Sequence, residues 1–158
     1  MKLYRYAGGM STDDRPVPVW PRMGLRASSC IAAGLLALQS LTAGLFLAGV
    51  EAAFDVHRET ATAAGIAIMV GIVFGVMSVR LRGESWKPVM WSVGLLALMS
   101  LQAFAGFRSL TALHVPLGVL TIFAGVMVTA VSWGSPFGRA EGRTSADGSG
   151  GRRSRRNK

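Results

Sequence analysis

Four stretches of the chain carry no charged residue: 27–50, 60–79, 88–107 and 109–138. Each is dominated by Leu, Ala, Val, Gly, Ile and Met. A helix needs about 20 predominantly apolar residues to cross the hydrocarbon of a bilayer. The pattern therefore predicts an all-α integral membrane four-helix bundle, with spans at 27–50, 60–80, 88–107 and 110–133. Residues 1–26 are then a flexible N-terminal segment and 135–158 a disordered basic tail, rich in Gly, Ser and Arg. Met10 offers an alternative start to Met1.

Composition agrees with this picture and charge orients it. The chain of 158 residues is 51% hydrophobic and 16% charged, against about 25% charged in ordinary soluble domains. A soluble enzyme is excluded. Fifteen of the 17 Lys and Arg lie in residues 1–26, in the connector between the second and third runs, or in the tail. Only Arg58 and Arg108 lie in the other two connectors. Positive charge stays on the cytoplasmic side, which predicts a multi-pass cell-membrane protein with both termini in the cytoplasm and the connectors bearing Arg58 and Arg108 outside. Trp20, Trp86, Trp91 and Trp133 all fall at the inner ends, as interfacial anchors do. A pI of about 11.3 would suit a nucleic-acid binder. Here the basic residues flank the spans, so topology accounts for them and no nucleic-acid partner is expected. The bilayer is the expected partner, with anionic lipid against the tail. Cys30 is the single cysteine, which rules out an intramolecular disulfide. The first run is too long, and too far from the N-terminus, for a signal peptide.

The chain also repeats itself. Residues 34–43 read GLLALQSLTA and residues 94–103 read GLLALMSLQA, identical at eight of ten positions. Each copy leads through an outer connector to one histidine and another span. His57 and His114 are the two histidines of the chain. Two spans return the chain to its starting side, so the halves form a parallel two-helix repeat. Equivalent positions of helices two and four then face each other across the bundle, where cofactor sites of helical bundles are built.

The surroundings of the histidines suit a flat metal cofactor. Ala61 lies one turn below His57, and Gly118 one turn below His114, with Ala64 and Gly65 further along. Small residues on that face leave room for a porphyrin edge, and imidazole is a common haem ligand. Arg58 and Arg108 are cations available to the two propionates. Gln39 and Gln102, inside helices one and three, can reach a cofactor edge or a ligating imidazole. The expectation is a bis-histidine haem b site, with His57 and His114 as metal ligands.

Plainer roles exist for the same residues. A histidine at a helix end serves as an interfacial polar group, and Arg58 beside Glu59 as a solvated pair. The amides can join helices by hydrogen bonds. Ala63, Ala67, Gly71 and Gly75 form an i, i+4 stripe suited to close helix packing. No run holds Asp, Glu, Lys or Arg, which disfavours a proton-coupled transporter.

Leu45-Phe46-Leu47-Ala48-Gly49, followed by His57-Arg58 and Leu113-His114, resembles a family of small four-helix membrane proteins of unknown function from actinobacteria, over residues 30–133. The layout is also similar to one half of haem A synthase, a pair of four-helix bundles in which histidines on helices two and four hold a haem near the outer face. That likeness implies haem ligation by His57 and His114. It departs in having one bundle, no pair of outer cysteines, and Asp55 as the nearest upstream acid. The expected function is electron transfer near the outer face, with a redox partner. The alternative is a haem-free structural or accessory subunit packed against another membrane protein, with no enzymatic activity of its own.

Overall fold

The computed structural model describes residues 18–134. Four helices follow one another through short turns: α1 (Trp20–Leu47), α2 (Ala52–Arg82), α3 (Lys87–Phe107) and α4 (Thr111–Ser132). Each is long and apolar enough to cross a bilayer, and the chain is a multi-pass membrane protein. The alternative start at Met10 and the basic tail lie outside the described residues.

Two helices run past the charge-free stretches. α1 begins at Trp20, inside the segment expected to be flexible, and α2 at Ala52 rather than 60. The charge-free runs mark how deep the hydrocarbon reaches, whereas a helix continues through the interface while its backbone bonds are made. Pro21 in the first turn of α1 favours helix initiation there. At about 1.5 Å per residue, the 28 residues of α1 and 31 of α2 exceed the roughly 30 Å hydrocarbon. Their charged ends therefore reach water.

α1 packs on α2 and α4, and α3 on α2 and α4. This is a square up-down-up-down bundle, with α1 opposite α3 and α2 opposite α4. The core is a band of small and aliphatic side chains: Ala32, Leu36, Ala64, Ile68, Leu95, Met99 and Val128. Large apolar residues such as Val119, Phe123 and Phe104 face outward, as a lipid-facing surface requires. The repeat is visible in burial. Gln39 and Met99, and Thr42 and Gln102, occupy matching positions of the two copies, and all are buried; at the same spacing before the copies, so are Ser29 and Val89, and Ala32 and Ser92.

One end of the bundle carries the basic residues. Arg82 donates to Glu84 at 2.9 Å and to the Pro18 carbonyl at 2.9 Å, while Arg22 stands 3.8 Å from Glu84. Arg26 donates to the Ser132 carbonyl at the end of α4 and lies over the Trp133 ring at 4.8 Å. The four tryptophans sit at this end and are exposed. The histidines sit at the other end.

Glycine sets the helix spacing. Gly71 and Gly75 are buried on α2, with Ala67 half-buried, but Ala63 is exposed and Ala64 faces inward. Four residues turn a helix of 3.6 residues per turn slightly past a full circle, so an i, i+4 stripe drifts off the interface. A Cβ on Gly75 would stand 2.9 Å from the Val89 methyl and 3.7 Å from Leu25. Gly34 has nothing within 4 Å. Gly75→Leu should therefore lower stability by about 1–3 kcal/mol through overpacking, while Gly34→Leu costs little. Thermal unfolding in detergent checks this; equal effects would contradict the packing described.

Candidate functional site at the histidine end

Each histidine reaches the site from the start of a helix, and its ring is tied to the preceding helix. His57 is the sixth residue of α2 and His114 the fourth of α4. His57 Nδ1 lies 3.2 Å from the Gln39 carbonyl and 3.1 Å from Thr42 Oγ1. His114 Nδ1 lies 2.8 Å from the Gln102 carbonyl. A carbonyl oxygen only accepts, so Nδ1 carries the proton in both rings. Thr42 Oγ1 is also within 3.1 Å of the Gln39 carbonyl; its hydroxyl donates there and its oxygen receives from His57. Neither Nε2 has a hydrogen-bond partner among the described residues. In its neutral form each ring would therefore carry its lone pair on Nε2, the form in which imidazole binds metal.

The two rings meet across the diagonal of the bundle. Their centroids are 6.3 Å apart and their planes 66° apart. A metal held by two imidazole nitrogens, each about 2.0 Å away, puts ring centroids at about this separation. Both rings are half-buried.

The other residues expected at the site divide. Gln39 is buried and donates its amide to the His57 carbonyl at 3.3 Å. Gln102 is also buried, yet its side-chain amide makes no hydrogen bond among the described residues. Its Nε2 sits 3.4 Å from where a Cβ on Gly118 would be, beside the face of α4 one turn below His114. Ala64 is fully buried and Ala61 packs on the core. Arg58 is exposed and pairs with Asp55 at 3.7 Å. Arg108 is exposed at the end of α3. Both arginines stand at the histidine end, and no hydrogen bond or ion pair joins either to the rings.

Two residues belong to the site that sequence reasoning did not single out. Thr42 is the repeat counterpart of Gln102, so aligning the two copies could have exposed it. Gly106 has no such signal. A Cβ there would stand 3.0 Å from the His114 ring, so glycine is what lets the ring lie against α3.

Comparison of the chain with family models, with curated proteins and with solved structures returned no match. The site therefore has to be read from its own chemistry. Among the described residues no group of three His, Cys, Asp or Glu could hold a metal ion; the histidines stand as a pair. Nitrogen-15 NMR of the neutral imidazoles should find both as the Nδ1–H tautomer. An Nε2–H form at either position would contradict the hydrogen bonding described.

Proposed function

We propose that this chain is a small membrane protein that holds one haem b between His57 and His114 and passes single electrons near one face of the bilayer. The observation that supports this reading is the facing pair of rings, 6.3 Å apart, with both Nδ1 atoms committed to protein acceptors. Hydrogen bonding at Nδ1 fixes ring orientation and raises the basicity of the opposite nitrogen, the usual outer-shell arrangement of metal-bound histidine. Haem supplies a one-electron ferric–ferrous couple when bound. His57 and His114 would hold it through their Nε2 atoms. Arg58 and Arg108 are the cations at that end that the propionates would meet, Arg58 by giving up Asp55, and the Gln102 amide is a donor beside Gly118. With two histidines holding the group, electron transfer rather than chemistry on a bound substrate would be the role, and a redox protein the partner. The orientation with both termini in the cytoplasm, from the distribution of Lys and Arg, belongs to this proposal and puts the haem on the outer side of the cell membrane.

A second reading has an observation of its own. Gln102 already stands close beside Gly118, so a porphyrin edge there requires the amide to move. In the haem-free alternative the histidines, Gln39, Thr42 and Gln102 form a polar layer that fixes the register of an accessory subunit. Purification of the full chain from haem-replete membranes separates the two readings. The first predicts a Soret band with low-spin b-type features that is lost in His57→Ala/His114→Ala. A colourless wild-type protein, or a spectrum unchanged by the double substitution, contradicts it.

A further inference from the structure

Several helical glycines of the bundle press against a neighbouring helix. A Cβ on Gly71 would stand 2.9 Å from Ser28 Oγ, and one on Gly125 2.8 Å from Leu36. Gly94 on α3 differs. It is exposed, and nothing lies within 4 Å of the place its Cβ would take. Glycine inside a helix weakens it, and no contact within the chain calls for one here. What the missing side chain leaves is a groove. Met90, Trp91, Gly94, Leu95 and Leu98 of α3 and Ala124 of α4 line an open apolar trough of about 350 Å³ between the two helices. From Met90 to Leu98 is about 12 Å along the axis at 1.5 Å per residue, most of the roughly 15 Å that one leaflet contributes to the hydrocarbon. Atoms lining an unfilled trough lose dispersion contacts, and in a bilayer the group of matching length and polarity is an acyl chain.

The mouth of the groove lies at the basic end. Lys87 opens α3 and precedes Trp91, Gly94 and Leu98 at a spacing that puts all four on one helix face. Its side chain is exposed and makes no hydrogen bond or ion pair among the described residues. Five cations stand at this end, Arg22, Arg26, Arg80, Arg82 and Lys87, and among the described residues they share one carboxylate, Glu84. Arg82 donates to Glu84 at 2.9 Å, and Arg22 stands 3.8 Å from it. The charge of Lys87 is thus left for an anion from outside the chain. α4 runs antiparallel to α3 and ends at the same level, where Arg26 lies over the Trp133 ring at 4.8 Å and adds to the positive field. Trp91 is an amphipathic ring of the kind that sits at headgroup level, between the charge of Lys87 and the vacancy at Gly94.

We propose that the groove between α3 and α4 is a binding site for one anionic glycerophospholipid, its phosphate paired with Lys87 and one acyl chain lying over Gly94. Charge selects the headgroup, and the absent side chain admits the chain. The site is at the end of the bundle opposite the histidines, so it stands or falls separately from the haem reading.

The test uses the full chain in detergent, with phosphatidylglycerol and phosphatidylcholine of the same acyl chains as probes and native mass spectrometry as the readout. Wild-type protein should retain one phosphatidylglycerol about fivefold more strongly than phosphatidylcholine, the scale of one lysine near an anionic headgroup. Lys87→Gln should bring the two lipids level. Gly94→Leu fills the groove without meeting another residue, so it should keep the wild-type melting temperature and weaken both lipids about fivefold or more, the scale of one overpacked side chain. Gly34→Leu is the control: Gly34 occupies the same repeat position, is as open, and does not line the groove, so this variant should bind as the wild type does. Equal retention of the two lipids by the wild type overturns the proposal. So does a preference that survives Lys87→Gln, which would place it on the other basic residues. Gly94→Leu and Gly34→Leu behaving alike, or a Gly94→Leu that changes the number of chains in the particle, would also overturn it, the latter by making the groove a contact between copies.

Discussion

A ring N–H set between helices inside a bilayer has no water to bond, so it must end on an acceptor that the protein supplies. In this bundle that acceptor is a backbone carbonyl on the preceding helix, Gln39 for His57 and Gln102 for His114. Much else follows from these two bonds. They tie each hairpin together at its closed end, and they fix the tautomer of each ring. They also demand close approach between helices, which Gly106 permits beside His114. Because α2 and α4 are diagonal in the square, two rings anchored in this way come to face each other rather than the lipid.

The duplication gives this end of the bundle its symmetry, and divergence between the copies removes part of it. Thr42 and Gln102 occupy the same repeat position, yet one acts through its hydroxyl and the other through its carbonyl. Met99 replaces the amide of Gln39 and fills the core instead. The glycine corner at Gly49 has become a serine corner at Ser109. The opposite end is simpler. Arg22, Arg82 and Glu84 tie α1 to the turn after α2, and Arg26 closes the end of α4 over Trp133. These contacts hold the helix ends together while leaving the rings at the far end to set their own geometry.

The architecture was legible because charge is so costly in hydrocarbon that its absence marks every span. The meeting of His57 and His114 was legible only in outline: each histidine follows a copy of the repeat, but the offset of 60 between copies pairs His57 with Leu117, three residues beyond His114. Helix ends were less so, since charged residues such as Arg22, Arg26 and Arg58 sit on helix that has left the hydrocarbon. Ala63 was misplaced by a stripe rule that ignores helical drift. Thr42 and Gly106 were hidden because a backbone acceptor and a steric vacancy leave no mark on residue type. Gln102 was visible as a buried amide, but its use of the main-chain carbonyl depended on how α3 and α4 meet.

The haem proposed here would lie between two imidazoles whose planes are 66° apart. Low-temperature electron paramagnetic resonance of the ferric protein reads that angle directly, because the splitting of the iron orbitals depends on how the two ring planes are set. The account predicts a low-spin signal of strong anisotropy, as steeply crossed imidazoles give. A high-spin signal, or the weakly anisotropic signal of parallel rings, would contradict it.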